Sequence, residues 1–291
     1  MGVMRFSGRE VVAAAILYAV LPAAASLHGQ DQSVAPPQLA RTWDAEHVSS
    51  PLPPLMDHKE VVRRLTDLTS ANPDLFTLEK IGESVEGRSL NYVKTGTGST
   101  GVLLWSQMHG DEPTATAALF DIFEYLRRHR EDPMVRRILT RLTLHVVPML
   151  NPDGAERFQR RNAQSVDINR DALRLQTPEG RALKALRDRL NPQVGFNLHN
   201  QSWRTSVGTP PKPASISLLS VAYDEARTEN TGRKLTKKIC AVIREALEPL
   251  ASGQIGRHSR CGLRRRPQTA AKSKPALAAC RPTCASSDCE D

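Results

Sequence analysis

The sequence is poor in aromatic residues, which make up 4% of its 291 residues. Proteins that bind single-stranded nucleic acids by base stacking depend on aromatic side chains. The net charge of +9 does not indicate nucleic-acid binding either, because much of this charge is concentrated at one end of the chain. Residues 257–291 contain eight Lys or Arg and three acidic residues, a net charge of +5. The rest is nearly balanced, so the composition predicts no nucleic-acid partner.

Long apolar runs are also missing. The longest one near the N-terminus, Val11 to Val20, is shorter than the roughly 20 residues of a membrane span. It follows Arg5 and Arg9 and precedes three alanines at 23–25, a pattern typical of a secretory signal peptide. We therefore predict a signal peptide over residues 1–25; the alternatives are a retained anchor and a mis-assigned start. Cleavage would give an exported protein, periplasmic or extracellular, with no stable membrane insertion.

Cysteine is nearly absent before residue 261, since four of the five cysteines are Cys261, Cys280, Cys284 and Cys289. Residues 257–291 also lack Val, Ile, Met and aromatic residues, so no strand is predicted there. Three interpretations remain open: a disulfide or metal-binding appendage, a basic disordered arm, and the product of a shifted reading frame. The abrupt change in composition favours the shifted frame.

The rest of the chain alternates between helix-like and strand-like segments. Five prolines between residues 30 and 54 predict a linker over 26–55, ahead of a domain over 56–256. Apolar spacing predicts helices near 61–68, 115–126, 178–190, 217–230 and 234–250, and strands near 102–107, 142–150 and 193–198. This alternation indicates an α/β layered fold.

A GxGxxG pattern occurs in "TGTGSTG", from Thr95 to Gly101. In dinucleotide-binding folds this pattern opens a helix, whereas here the strand-like "VLLW" follows it. The segment is therefore interpreted as a turn between two strands.

His109 and Glu112 lie three residues apart, where an apolar strand gives way to a helix. A hydrolytic zinc site needs three protein ligands and an open position, and two histidines with one glutamate form a known set. His199 also follows a predicted buried strand, and sites in open α/β sheets collect at the carboxyl ends of strands. The three residues together predict a zinc site.

Each of these residues alone has a plainer interpretation. An HxxE pair is more often a surface turn, and His199 alone would be an ordinary hydrogen-bonded histidine. His145 lies inside a predicted strand and is interpreted as structural.

The segment between these residues carries a more specific pattern. In order, the chain contains "HGDE" at 109–112, "NPDG" at 151–154, "RRN" at 160–162, "VDINR" at 166–170 and "FNLH" at 196–199. This ordered set resembles the zinc carboxypeptidases of the pancreatic carboxypeptidase A type, over roughly residues 56–257. The resemblance implies a three-layer α/β/α fold with a mixed, mostly parallel sheet, and Zn²⁺ as cofactor.

The resemblance also implies a role for each matching residue. His109, Glu112 and His199 would bind zinc, and Asp167 would accept a hydrogen bond from His109 and orient its ring. Arg160 would stabilise the oxyanion, although Arg161 is an alternative for this role. Asn169 and Arg170 would bind the terminal carboxylate of a peptide substrate. The implied substrate is a peptide or protein with a free C-terminus.

Several departures from the family pattern bear on function. Asp111 and Asn200 differ from the pancreatic enzymes, which favours an exported bacterial branch with a different outer subsite. The family also uses a late-strand glutamate as general base and a mobile tyrosine, and neither is predicted after His199. We therefore expect an incomplete domain whose C-terminal strands are missing, with little activity. The alternatives are a catalytically dead zinc- or peptide-binding protein and a zinc-dependent acylase of small acylated amino acids.

Overall fold

A five-stranded sheet forms the centre of the computed structural model, which describes residues 36–49, 55–201, 205–208, 210–222, 224, 226–248, 255–257 and 264–265. Its strands are β1 (Phe76–Glu83), β2 (Ser89–Thr95), β3 (Thr100–Ser106), β4 (Leu142–Val147) and β5 (Val194–Leu198). They follow the order β1-β2-β4-β3-β5, in which β4, β3 and β5 run parallel while β1 and β2 pair antiparallel. The predicted mixed sheet is confirmed. The predicted signal peptide and the four late cysteines lie outside the described residues.

Helices cover both faces of this sheet. They are α1 (Pro36–Glu46), α2 (His58–Ala71), α3 (Thr114–Arg128), α4 (Pro133–Arg141), α5 (Pro152–Glu156), α6 (Pro178–Leu190) and α7 (Thr231–Leu247). On β3, Val102 and Leu104 join the core that contains Leu119 of α3, since alternate strand residues point to opposite faces. Leu103 joins the second core with Leu186 of α6. The predicted three-layer α/β/α architecture is therefore confirmed.

The segment 95–101 forms a turn between β2 and β3, as predicted. Gly96 has a φ of +82°, which favours glycine. A Cβ on Gly98 would lie only 1.8 Å from the carbonyl carbon of Arg141, so the turn packs against the backbone that leads into β4. The presence of glycine at both positions is therefore explained by the turn itself, without a bound dinucleotide.

The predicted linker over 26–55 does not hold for residues 36–49. Leu39 and Ala40 of α1 are buried, and Asp121 of α3 fastens the end of this segment. Asp121 accepts hydrogen bonds from Trp43 Nε1 at 3.0 Å, from the backbone N–H of Ser49 at 2.9 Å and from Ser49 Oγ at 2.8 Å. Prolines at a helix start are compatible with helix, so proline content misled the prediction.

Short strands and one helix follow β5. The strands are β6 (Thr205–Val207), β7 (Lys212–Pro213), β8 (Ile216–Leu218), β9 (Ile255–Arg257) and β10 (Arg264–Arg265). The helix predicted over 217–230 is wrong, because Ile216–Leu218 pairs with Ile255–Arg257 and the described remainder is not helical. Tertiary pairing here overrides local apolar spacing.

The prediction of a tail without strands is wrong at β10, which pairs antiparallel with β6. Backbone groups make the bonds of a ladder, so two arginines can form a short strand without an apolar face. Helix α7 packs Ile239 and Ile243 against Ile216 of β8 and Phe196 of β5. Among the described helices, none has both the length and the hydropathy needed to cross a membrane.

Candidate metal centre

The turn between β3 and α3 carries His109 and Glu112 at the carboxyl end of the sheet. Gln107 begins this turn with a φ of +48°, and its side-chain Nε2 donates to the carbonyl of Gly110 at 3.0 Å. Thr116 Oγ1 of α3 lies 2.8 Å from Gln107 Oε1. Gln107 and Thr116 are both buried, so this polar network fixes the turn between strand and helix.

His199 reaches the same edge from the neighbouring strand. β3 and β5 run parallel, and Ser106 lies opposite Leu198 at their carboxyl ends. The imidazole centroids of His109 and His199 are 4.7 Å apart. Glu112 lies between the rings, with Oε1 at 2.9 Å from His109 Nδ1 and Oε2 at 2.7 Å from His199 Nδ1.

The candidate ligand atoms of these three residues all lie within 4.8 Å of one another. Two further side chains flank them on one side. Asp167 Oδ1 lies 3.2 Å from His109 Nε2, and Asp167 Oδ2 accepts from Arg160 Nε at 3.1 Å and from Arg160 Nη2 at 2.9 Å. Arg160 Nη1 lies 3.1 Å from His109 Nδ1 and 3.7 Å from Glu112 Oε1.

This arrangement of donors fits a metal ion. When His109 is neutral and donates its Nε2 hydrogen to Asp167, its Nδ1 carries a lone pair that can bind a metal ion. Nδ1 of His109 lies 2.9 Å from Glu112 Oε1 and 3.1 Å from Arg160 Nη1, so a metal ion bound by Nδ1 and Oε1 would replace the contacts that they make here. Two imidazole nitrogens and a carboxylate form a ligand set that zinc accepts, and the carboxylate on the outer nitrogen is a common companion of such ligands.

The electrostatics of the cluster keep both carboxylates ionised. Burial raises the pKa of Glu112, but the hydrogen bonds and charges of His109 and His199 together outweigh it and lower the pKa to about 2. Burial also raises the pKa of Asp167, and the hydrogen bonds and charge of Arg160 reverse the effect, so the pKa lies below its ordinary value. Ionised carboxylates are the forms that bind a metal and hold its ligands.

The structure separates the two arginines that the sequence left as alternatives. Arg160 contacts the cluster, whereas Arg161 Nη1 donates to the carbonyl of Ser165 at 2.9 Å. Asn169 is half-buried, and its Oδ1 accepts from Asn197 Nδ2 of β5 at 3.3 Å. Arg170 is exposed next to it, and its Nη1 donates to the carbonyl of Asn169 at 3.4 Å.

The NPDG turn braces these loops against each other. Asn151 Nδ2 donates to the carbonyl of Met108 at 3.4 Å and to that of Arg160 at 3.3 Å. Its Oδ1 accepts from the backbone N–H of Gly154 at 2.9 Å. A Cβ on Gly110 would lie 2.0 Å from the carbonyl carbon of Gly154, so the two turns pack backbone to backbone. The motif therefore joins the His109 turn to the Arg160 loop.

Asp153 of the same turn is fully buried and accepts three hydrogen bonds. The donors are Ser84 Oγ at 2.7 Å, the backbone N–H of Glu86 at 3.0 Å and Arg88 Nη1 at 2.7 Å. These contacts hold the β1–β2 turn against the NPDG turn.

We expect Asp153→Ala to lower the free energy of unfolding by about 3 kcal/mol, because it leaves the Ser84 hydroxyl and the backbone N–H of Glu86 without this acceptor and leaves Arg88 with Glu86 as its one remaining carboxylate partner. Urea unfolding followed by circular dichroism measures this change. Asp188→Ala is the control, since Asp188 is an exposed carboxylate that pairs with Lys184. Equal losses for the two variants would contradict a structural role for Asp153.

The asparagine of the RRN segment shapes the loop that carries Arg160 and Asp167. Asn162 Oδ1 accepts from the backbone N–H groups of Gln164 and Val166, both at 3.0 Å. Its Nδ2 donates at 3.1 Å to Oε2 of the buried Glu179, whose pKa is raised by burial. The sequence pattern alone did not reveal this contact.

Other contacts of the site were also missed from the sequence, among them those of Arg88, Asn197 and Asn200. Asn200 attracted notice only as a departure from the family pattern. Their partners lie tens of residues away along the chain, for example 65 for Arg88 and Asp153. The local spacing of residue types along the chain does not indicate such long-range contacts.

A His–Glu–His cluster at the carboxyl ends of parallel strands in an α/β/α fold is the type of centre found in zinc hydrolases. The sequence profile of the family described as zinc carboxypeptidase matches residues 61–244. This match covers more than half of the chain, which therefore belongs to the zinc carboxypeptidase family. The metal of this family is Zn²⁺, in agreement with the donor set of the cluster.

Individual relatives are similar over shorter stretches. Carboxypeptidase SOL1 of Arabidopsis thaliana is 28% identical over 151 residues, covering 46% of this chain and 31% of that protein. Carboxypeptidase 2 of Trichophyton rubrum is 27% identical over 172 residues, covering 55% of this chain and 31% of that protein. The chain thus spans just under a third of the length of these relatives.

The crystal structure of thrombin activatable fibrinolysis inhibitor is similar in fold. It superposes with a TM-score of 0.54 at 16% identity, covering 71% of this chain and 62% of that one. At this identity the likeness concerns the fold alone.

Proposed function

We propose that this protein is a zinc-dependent carboxypeptidase that removes C-terminal residues from peptides, with His109, Glu112 and His199 as its zinc ligands. The observation that carries the proposal is the convergence of these three side chains, whose ligand atoms lie within 4.8 Å of one another. The names of the relatives, carboxypeptidases from a plant and a fungus, support the reaction class.

The residues around the ligands have chemical roles in this proposal. A zinc ion bound here would polarise a substrate carbonyl and lower the pKa of a bound water. Asp167 holds the ring of His109 through Nε2 and so fixes which nitrogen faces Glu112. Arg160 places a guanidinium beside the ligands, held by two hydrogen bonds to Asp167. From this position the guanidinium can donate a hydrogen bond to the substrate carbonyl oxygen, on which negative charge develops during hydrolysis.

Asn169 and Arg170 are the proposed binding groups for the substrate carboxylate. Asn169 Oδ1 accepts a hydrogen bond from Asn197 Nδ2, so the NH₂ group of Asn169 can donate to a substrate. A guanidinium and an amide donor are the groups that bind a carboxylate well. Because Arg170 is exposed, it can contact a substrate without first breaking a buried ion pair.

We expect Arg170→Ala to weaken binding of a peptide with a free C-terminus by roughly 1.5–3 kcal/mol, the contribution of one charged hydrogen bond. The same peptide with an amidated C-terminus should bind equally to both proteins, because it lacks the carboxylate. Isothermal titration with the two peptides measures the difference.

Arg174→Ala is a matched control, since Arg174 is an exposed arginine four residues further along and its removal changes the net charge equally. An equal loss for the free and amidated peptides in Arg170→Ala would remove Arg170 from the carboxylate site.

One observation favours a second candidate, a protein that binds zinc and peptides without hydrolysing them. Among the described residues after His199, the glutamates Glu229, Glu245 and Glu248 lie in or beside α7, and Glu229 pairs with Lys237. None of the three joins the His109 cluster. General acid–base catalysis typically contributes about 10²–10⁴-fold, so its loss would leave binding with slow hydrolysis.

Release of amino acids from peptides distinguishes the two candidates. Release that requires zinc and a free C-terminus supports the carboxypeptidase, and binding without release supports the second candidate. Release only from small N-acylated amino acids would instead support the acylase. The N-terminal pattern of basic, apolar and small residues supports export as the setting of either function.

A further inference from the structure

The start of α3, directly after Glu112, lacks a side-chain cap from its own segment. Its N-cap residue is Pro113, which has no polar side chain. The first N–H groups of a helix have no partner within the helix and need another acceptor. For Thr114, the first residue of α3, that acceptor is Asn200 Oδ1 at 3.2 Å, from 86 residues further along the chain.

Asn200 makes a second contact with the same region. Its backbone N–H donates to Glu112 Oε2 at 3.3 Å, and this oxygen also lies 2.7 Å from His199 Nδ1. Asn200 therefore follows one candidate ligand in the chain, touches the carboxylate of another, and caps the helix that begins beside it. This single residue connects the β5 end with the β3–α3 turn.

We propose that Asn200 is a positioning residue of the metal site, which fastens the segment of His199 to the segment of Glu112. The inference rests on the proposed function, because it assumes that the cluster binds zinc. Residues that hold metal ligands from outside typically contribute about 10–100-fold to metal affinity. The Oδ1 acceptor is the essential group, since it makes the bond to the helix start.

Three variants of the full chain test this role. Asn200→Ala removes the acceptor, whereas Asn200→Asp keeps an acceptor oxygen at a helix start, where a negative charge is favourable. Asn230→Ala is the control, because Asn230 caps α7 by accepting from the backbone N–H of Arg233 at 2.8 Å, at a helix that carries none of the ligands. The readouts are zinc affinity, by competition with a chromophoric chelator, and the visible absorption spectrum of bound Co²⁺.

We expect Asn200→Ala to weaken zinc binding about 10–100-fold and to alter the Co²⁺ spectrum. Asn200→Asp should restore the affinity, and Asn230→Ala should leave both readouts unchanged. Unchanged zinc binding in Asn200→Ala overturns the inference, as does an equal loss in Asn230→Ala. If the unchanged chain binds zinc and His109→Ala does not, the zinc site of the proposed function stands in either case. If the unchanged chain binds no zinc, both proposals fall.

Discussion

Replacing His109 or His199 with alanine is expected to remove zinc from the purified protein. Each variant deletes one of three candidate ligands. Because His109 is buried, a water molecule cannot take the place of its ring nitrogen unless the surrounding side chains rearrange. Outer residues that only hold a ligand contribute about 10–100-fold to metal affinity, so loss of a ligand itself should exceed about 100-fold. Zinc content by mass spectrometry, together with chelator competition, measures the loss.

His129→Ala is the matched control for this prediction. His129 also lies between two carboxylates, at 3.0 Å from both Asp132 Oδ2 and Glu46 Oε2. It belongs to the end of α3 opposite the candidate site. Removing it disturbs a histidine–carboxylate pair of the same kind and should leave one zinc per chain. The assignment of the ligands is wrong if His109→Ala and His199→Ala keep the zinc content of the unchanged protein.

Arg160→Ala is expected to lower the rate of peptide hydrolysis by about 10²–10³-fold, the usual effect of removing a donor to a developing oxyanion. Arg160 is not one of the three candidate ligands, and Glu112 remains between the two histidines without it. Zinc should therefore stay bound while catalysis falls. Steady-state rates and metal content, measured on the same preparation, separate these two effects.

Arg161→Ala provides the comparison, because the two arginines are adjacent in sequence and have the same charge. Arg161 donates to the carbonyl of Ser165 and belongs to the surface, so its removal should change the rate little. Equal rates for the two variants would exclude Arg160 as the oxyanion donor. Should the unchanged chain bind peptides without cleaving them, the second candidate function would replace the first.

Elements with strong local signals were predicted well from the sequence. Helix α6 begins at Pro178 after Thr177, whose side chain accepts from the backbone N–H of Gly180, and it ends at Asn191 in a left-handed conformation. Each of these features is a local preference of the residue concerned. The strand ends that place His109 and His199 at one edge were likewise predictable, because parallel strands finish together.

Elements held by distant partners were not predictable in this way. Helix α1 lies in a proline-containing segment, and its docking depends on Asp121, 78 residues from Trp43. The residues after Ile216 have helix-like apolar spacing but pair as a strand with residues near 255. In both cases the deciding interaction is long-range, and a local window contains only one of its partners.

The residues of the His109 cluster are far apart in the sequence, and this distance couples metal binding to folding. Glu112 and His199 are 87 residues apart, and they meet only after β5 has paired with β3. An unfolded chain cannot hold the three groups together, so a zinc ion would bind the folded form almost exclusively. Such selective binding stabilises the folded form by about 2.7 kcal/mol when free zinc is 100 times its dissociation constant. The melting temperature of this protein should therefore rise with the logarithm of the free zinc concentration.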